Sequence, residues 1–409
     1  MSGRHYVVAG GGAAGFFGAI AAAEADPAAR VTLLEKSPEL LAKVTISGGG
    51  RCNVTHHCFD VDRLVRNYPR GQRELIGPFH RFQPRDTVQW FESRGVPLKV
   101  ESDGRMFPVS DSSASIVQCL RHAAQEAGVQ VHTGRGLRAL HPRADGGFAL
   151  DLTTGERIEA DRLLLATGGN KATAGYALAA SAGHAIEPPA PSLFTFNIED
   201  STLHALAGIA VAEAAAVSPQ HRLEQRGPLL ITHWGVSGPA ALKLSAWGAR
   251  VFAGCNYTFD LNIAWTPQAR DALLARMDAL RQRHPARVVA GGGVLDAPNR
   301  LWEWLCRRAE IPADRQWAQL GKTSERRLLE ELLACRLPVT GKSMYKDEFV
   351  TCGGVRLSEV NFKTMESKVC PGLHFAGELL DIDAVTGGFN FQAAWTTGWI
   401  AGRAMAGAE

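Results

Sequence analysis

Three glycines and one glutamate near the amino terminus have the types and spacing to hold a dinucleotide. Gly10, Gly12 and Gly15 satisfy G-x-G-x-x-G within Tyr6-Val-Val-Ala-Gly-Gly-Gly-Ala-Ala-Gly15. The first glycine allows a tight turn, the second lets backbone approach a pyrophosphate, and the third lets helix and strand pack closely. Phe16 to Ala25 reads as an alanine-rich helix whose N-terminus offers free N–H groups and a positive dipole end to the phosphates. The apolar run Val31-Thr-Leu-Leu ends in Glu35, which is followed by Lys36. An acidic side chain roughly 20 residues or a little more past the turn is placed to hold a ribose hydroxyl pair.

A second cluster is Lys43-Val-Thr-Ile-Ser-Gly-Gly-Gly-Arg-Cys-Asn-Val-Thr55. Gly49 and Gly50 beside Arg51, Cys52 and Asn53 give a backbone that can lie against a ligand and donate N–H groups. Arg51 is expected to lower the Cys52 thiol pKa, which would make Cys52 a candidate acid within reach of substrate. His233, in Gly227-Pro-Leu-Leu-Ile-Thr-His-Trp-Gly-Val-Ser-Gly-Pro-Ala240, is the alternative proton donor. Late in the chain, Phe375-Ala-Gly-Glu-Leu-Leu-Asp381 reads as a strand running into Gly377 and Glu378. Gly387, Gly388, Phe389 and Asn390 then open a final helix. Two anion-friendly helix ends suit a cofactor with phosphates at one place and an electron-accepting ring at another, which describes FAD better than NAD.

These residues need a particular set of elements to position them. Strand, glycine turn, helix and strand over residues 6–35 form a mononucleotide-binding unit. Arg162-Leu-Leu-Leu-Ala-Thr-Gly-Gly169 reads as a central parallel strand, with Ala166, Thr167 and Gly168 at its ligand-facing end. Residues 129–140, 148–152 and 157–160 read as a β-meander, and 60–97 as largely helical. Pro188-Pro-Ala-Pro191 marks a boundary, and a small β-domain is expected from 192 to about 262. Amphipathic helices are expected near 267–283, 299–310 and 324–335, with Trp302, Trp304 and Leu305 in their core. Gly291-Gly-Gly293 is not framed by a strand and a helix start, so it is not a second nucleotide loop.

Composition narrows the classes. The chain has 409 residues, 45% hydrophobic and 21% charged, with a net charge of +3. That charge is too small by itself to call for nucleic acid. Residues 270–336 hold thirteen Lys and Arg against nine Asp and Glu, an excess that could touch a polyanion but is read first as a solvated face. Val7 to Ala23 carries no charge, yet it is short for a membrane span and is broken by glycines. None of the eight cysteines forms C-x-x-C, no metal site is indicated, and a cytoplasmic location with reduced thiols is expected.

Taken together, the chain resembles the BaiN-like flavoprotein family, also called the YhiN or RdsA type, of NAD(P)/FAD-dependent oxidoreductases. The resemblance is carried by Ser47–Thr55, Gly104-Arg-Met-Phe-Pro108, Thr232–Ala240, Thr364-Met-Glu-Ser-Lys368, Phe375–Asp381 and Gly387–Asn390. It implies an α/β fold: a Rossmann-type FAD-binding domain split across both ends (1–190 and 340–409). A β-barrel-like domain (191–262 and 336–350) would be inserted in it, and a helical domain (263–335) nested in turn. His56 stands where members usually have Asn, and Phe389 where Tyr is common; both sit near the expected flavin and bear on substrate identity rather than cofactor identity. The resemblance places Gly10, Gly12, Ala13, Ala14 and Gly15 at the pyrophosphate, and Glu35 with Lys36 at the ribose. Lys43, Gly49, Gly50, Arg51 and Cys52 would lie along FAD, Leu137 would hold the adenine by its backbone, and Ala166, Thr167 and Gly168 would line the other side. Gly377, Glu378, Gly387, Gly388, Phe389 and Asn390 would approach the ribityl chain and ring.

Three functions are compatible with this resemblance. One is hydride transfer between flavin and a small molecule, of enone-reductase or amine-oxidase type, with NAD(P)H as a transient electron donor. Another is a dihydrouridine synthase acting on large-subunit ribosomal RNA, contacted through the basic helical segment. The third is a flavin-holding regulator without catalysis.

Overall fold

In the computed structural model, residues 3–169, 174–343 and 350–408 are described. The chain forms two compact units, Met1–Ser192 with Lys346–Glu409, and Leu193–Tyr345.

The first unit is built on a seven-stranded sheet. The opening strand, β1 (His5–Ala9), is buried at all five positions, as suits a central strand covered on both faces. It lies between β2 (Arg30–Leu34) and the strand Arg162–Leu165, parallel to both. Gln130–His132 pairs parallel to β2 on one side, and Leu373–Phe375 pairs parallel to the 162–165 strand on the other. Val360–Asn361 and Glu366–Ser367 extend that edge antiparallel. Chain order therefore reverses between β1 and the 162–165 strand, the topological switch point at which open α/β sheets bind ligands.

Register determines what meets at that point. Ala9 pairs with Leu34 and with Leu165, and Leu165 pairs with Phe375. The residues that follow each strand, Gly10, Glu35, Ala166 and Ala376, are consequently brought to one edge of the sheet.

Helix α1 (Ala13–Ala25) is buried along most of its length and packs against the final helix, Phe389–Met405. Small residues let the two backbones meet. A Cβ on Gly398 would stand 2.4 Å from the Ala14 carbonyl oxygen, and one on Gly402 would stand 2.1 Å from that of Gly18.

Some expectations are refined by the fold. Of the 129–160 meander, Gln130–His132 joins the main sheet, while 137–142, 148–152 and 157–160 form a separate antiparallel sheet. The 60–97 stretch forms three short helices, Val61–Val65, Ile76–Arg81 and Pro84–Glu92. Residues 101–104 form a turn that leads into the strand Arg105–Pro108.

The second unit contains a closed six-stranded antiparallel barrel formed by 195–198, 235–237, 223–232, 210–218, 259–264 and 335–343. Its core continues into helices Arg270–Arg283, Asn299–Arg308 and Lys322–Ala334, where Trp302, Trp304 and Leu305 are buried as the spacing predicted. Gly293 packs against the Trp302 ring, where a Cβ would lie 2.0 Å from a ring carbon. Its absence of side chain serves packing rather than a nucleotide.

Candidate flavin site

The glycine turn separates structural from ligand-facing positions. A Cβ on Gly10 would meet the Ala166 carbonyl oxygen at 2.3 Å, and one on Gly15 would meet the Gly10 carbonyl oxygen at 1.8 Å. A Cβ on Gly12, by contrast, would meet no atom of the described residues within 4 Å. Gly12 caps α1, no side chain bonds to the N-terminal N–H groups, and no acid stands in the first turn. The amides of Ala13, Ala14 and Gly15 thus open on unfilled space, the arrangement a pyrophosphate requires.

Glu35 is held by backbone: its oxygens accept from Gly11 N–H at 2.7 Å and Ser37 N–H at 2.9 Å. A carboxylate has about four acceptor sites, so the fixed group keeps capacity for ribose hydroxyls. Lys36 packs at Gly136, where a Cβ would lie 2.7 Å from that of Lys36, next to the buried Leu137.

The second helix end lies farther along. Residue 398 is beside residue 14 and residue 402 beside residue 18, so the final helix runs parallel to α1. Its first residue, Phe389, is nine positions before 398. At 1.5 Å per residue its N-terminus projects roughly 13 Å beyond that of α1. An extended dinucleotide anchored at Gly12 reaches that distance with its far ring.

That far end is ordered in detail. The Asn53 amide, oriented so that both its atoms are paired, accepts from Gly388 N–H at 2.9 Å and donates to the Thr55 carbonyl at 3.1 Å. A Cβ on Gly388, whose φ is +88°, would lie 2.5 Å from that same carbonyl oxygen. His56 stacks on Phe389 at 4.6 Å between ring centres, and Tyr68 donates its hydroxyl to the Phe389 carbonyl at 2.6 Å. Asn390 bonds both backbone groups of Ala384, at 2.9 and 3.1 Å, and so holds the 384–390 turn. Arg70 pairs with the buried Asp383, which also accepts from Ser192 at 2.7 Å.

Beneath this end lies Gln392, fully buried. Its oxygen accepts from Thr55 at 2.6 Å and Thr87 at 2.9 Å, and its nitrogen donates to Thr396 at 3.0 Å. Gln392, Thr87 and Tyr68 were not among the residues singled out in the sequence. The available signal was a single amide, Gln392, in the otherwise apolar run Phe391–Trp395.

Between the two ends lie the remaining residues. Lys43 pairs with Glu378 at 2.5 Å, and Glu378 also accepts from Thr351 N–H at 2.9 Å. Gly377 packs on Ala14, its would-be Cβ 2.8 Å from that methyl. Among the described residues, positions 49, 50 and 168 have no atom within 4 Å of an added Cβ, and the buried Thr167 hydroxyl, packed on Gly175, has no partner. Open glycines along this edge fit an extended cofactor.

One expectation about chemistry needs correction, that for Cys52. Cys52 is fully buried, and burial pushes its thiol up to about 12. Arg51 does not lower it, because its guanidinium pairs with Glu101 at 2.6 Å and lies 4.0 Å over the Phe107 ring. His233 belongs to the second unit, exposed on the turn between Leu223–Thr232 and Gly235–Ser237.

Among the described residues no helix is long and apolar enough to cross a membrane, and no group of three or more His, Cys, Asp or Glu could hold a metal. Two steroid enzymes share the fold. One is a 3-ketosteroid Δ1-dehydrogenase from Sterolibacterium denitrificans, with TM-score 0.51, 12% identity and all of both chains covered. The other is a 3-ketosteroid-Δ4-(5α)-dehydrogenase from Rhodococcus jostii, with TM-score 0.50, 14% identity, and 99% of this chain and 97% of that one covered. In sequence the chain is 31% identical to a 3-dehydro-bile acid Δ4,6-reductase of Clostridium scindens, with 98% of each chain covered. It is 28% identical, again with 98% of each covered, to a ribosomal RNA dihydrouridine synthase of Escherichia coli. The model of the HI0933-like protein Rossmann domain matches residues 4–404. With that match added to the two helix ends and the open glycine turn, the chain belongs to the HI0933-like Rossmann family and is an FAD-dependent oxidoreductase.

Proposed function

We propose that the protein reduces a carbon–carbon double bond conjugated to a carbonyl in a small molecule. The observation that carries this reading is the full-length similarity to a bile-acid reductase. Reduced FAD, when bound, would supply the hydride to the carbon remote from the carbonyl and a proton would complete the adjacent carbon, leaving oxidised FAD. The chain's own part is positional. Gly10–Gly15 and Glu35 hold the nucleotide end, Asn53 orders the Gly387–Gly388 turn, and the final helix turns its N–H groups toward the ring end. We read 1–190 with 340–409 as the FAD domain, 191–262 with 336–350 as the barrel insertion and 263–335 as the helical one. Of these, 1–2, 170–173, 344–349 and 409 lie outside the described residues.

The ribosomal RNA reading rests on the second relative, and uracil also presents a double bond conjugated to a carbonyl. The basic 270–336 segment gives it less support than the sequence suggested. Arg281, Arg308, Arg326, Arg327 and Arg336 each engage a carboxylate, so five of its thirteen basic side chains are already paired.

Anaerobic mixing of photoreduced holoprotein with a 3-keto-4-ene steroid tests the proposal. Reoxidation of the flavin is expected. If steroid and simple enones leave the flavin reduced, and ribosomal RNA from a deletion strain lacks a dihydrouridine present in the parent, the RNA reading replaces it.

A further inference from the structure

The His56 imidazole sits in a slot that two glycines make. A Cβ on Gly104 would stand 2.4 Å from its Cε1 and 3.3 Å from its Nδ1, and one on Gly387 would stand 3.5 Å from its Cδ2. One ring face stacks on Phe389, with 20° between planes. Nε2 lies 3.2 Å from the Asp103 carbonyl oxygen. A carbonyl only accepts, so the proton is on Nε2 and Nδ1 of the neutral ring is an acceptor. Burial lowers the imidazole pKa, which keeps the ring neutral at pH 7. Among the described residues that acceptor is buried and has no partner.

A buried, unpaired acceptor on an otherwise fixed side chain calls for a missing donor. The enone of the proposed reaction brings only an acceptor oxygen. FAD brings an imide N–H on its ring and hydroxyls on its ribityl chain, and the final helix points to this end as the place they reach. The turn 101–104, whose Ser102 and Asp103 are exposed, packs on the imidazole through Gly104.

We propose that His56 is a cofactor-contact residue whose Nδ1 accepts a hydrogen bond from an N–H or O–H of bound FAD. Because it depends on Nδ1 alone, it separates acceptor loss from loss of packing. His56→Phe keeps an aromatic ring on Phe389 and removes the acceptor. His56→Asn removes the ring and returns an amide oxygen close to the Nδ1 position.

The inference rests on reading this end as the flavin-ring end, and its test is FAD titration of the apoprotein, read by flavin fluorescence and the visible spectrum. His56→Phe is expected to weaken FAD binding about five- to tenfold, the loss of one neutral hydrogen bond, and to shift the flavin band. His56→Asn should restore both. Thermal melts of each apoprotein control for folding. Parental affinity and spectrum in a folded His56→Phe overturn the inference, as does a folded His56→Asn no better than His56→Phe. Failure of the parent itself to bind FAD would instead overturn the flavin-site reading.

Discussion

At neutral pH the Cys52 thiol stays protonated, because burial costs the thiolate more than any neighbour returns. A side chain in that state packs rather than reacts. Cys52→Ala should therefore keep FAD and turnover while losing about 1 kcal/mol of stability to the vacated volume. Denaturant unfolding beside a turnover assay checks both, and loss of turnover with normal flavin reduction would restore the acid role. Four other buried or half-buried side chains titrate in a visible window. Burial lowers the pKa values of His5, His56 and His184, and takes His374 down to about 4. Each folded value lies below the unfolded 6.5, so the unfolded chain binds more protons as pH falls. Their stabilisation is full above pH 6.5 and is lost between there and about pH 4. Melting temperature should fall over that interval, and His374→Gln should flatten the lower part of the fall.

The amino-terminal turn and the final helix give the sharpest predictions at the scale of elements. Gly12 has φ −93° and ψ −168°, extended backbone that any residue adopts, with open space where a side chain would go. Gly12→Val should fold with apoprotein stability within about 0.5 kcal/mol of the parent and yet lose FAD, since the valine fills the pyrophosphate position. Gly15→Ala meets a carbonyl oxygen at 1.8 Å instead and should destabilise the fold itself. A Gly12→Val protein that stays yellow would contradict the placement of the turn. Under the other helix end, Gln392→Leu strands the Thr55 and Thr87 hydroxyls in the core. Each buried unsatisfied group costs about 1–3 kcal/mol, so a loss of roughly 2–4 kcal/mol is expected in urea unfolding.

For the whole molecule, the sequence carried the sheet, the turn and the cofactor class because each rests on local pattern. Gly10, Gly12, Gly15 and Glu35 lie within 26 positions, and the apolar strands that bring them together are continuous runs. The far end was less legible. Asn53 meets Gly388, and Thr55 meets Gln392, across more than 330 residues, and no spacing rule reports such a meeting. Cys52 was misread for a related reason. Its neighbour in sequence is Arg51, but its neighbourhood in space is core, while Arg51 turns to Glu101 and Phe107. Because the only strand-framed fingerprint is the one FAD takes, NAD(P)H is expected to reduce the flavin slowly and without tight saturation. Bleaching in stopped flow that saturates at low micromolar NAD(P)H would argue for a dedicated second site. The most direct measurement of the central claim is the identity of the bound cofactor. The purified, reconstituted protein is denatured and the released yellow compound chromatographed against FAD and FMN. One FAD per chain is the predicted result; FMN, or no flavin at all, would contradict it.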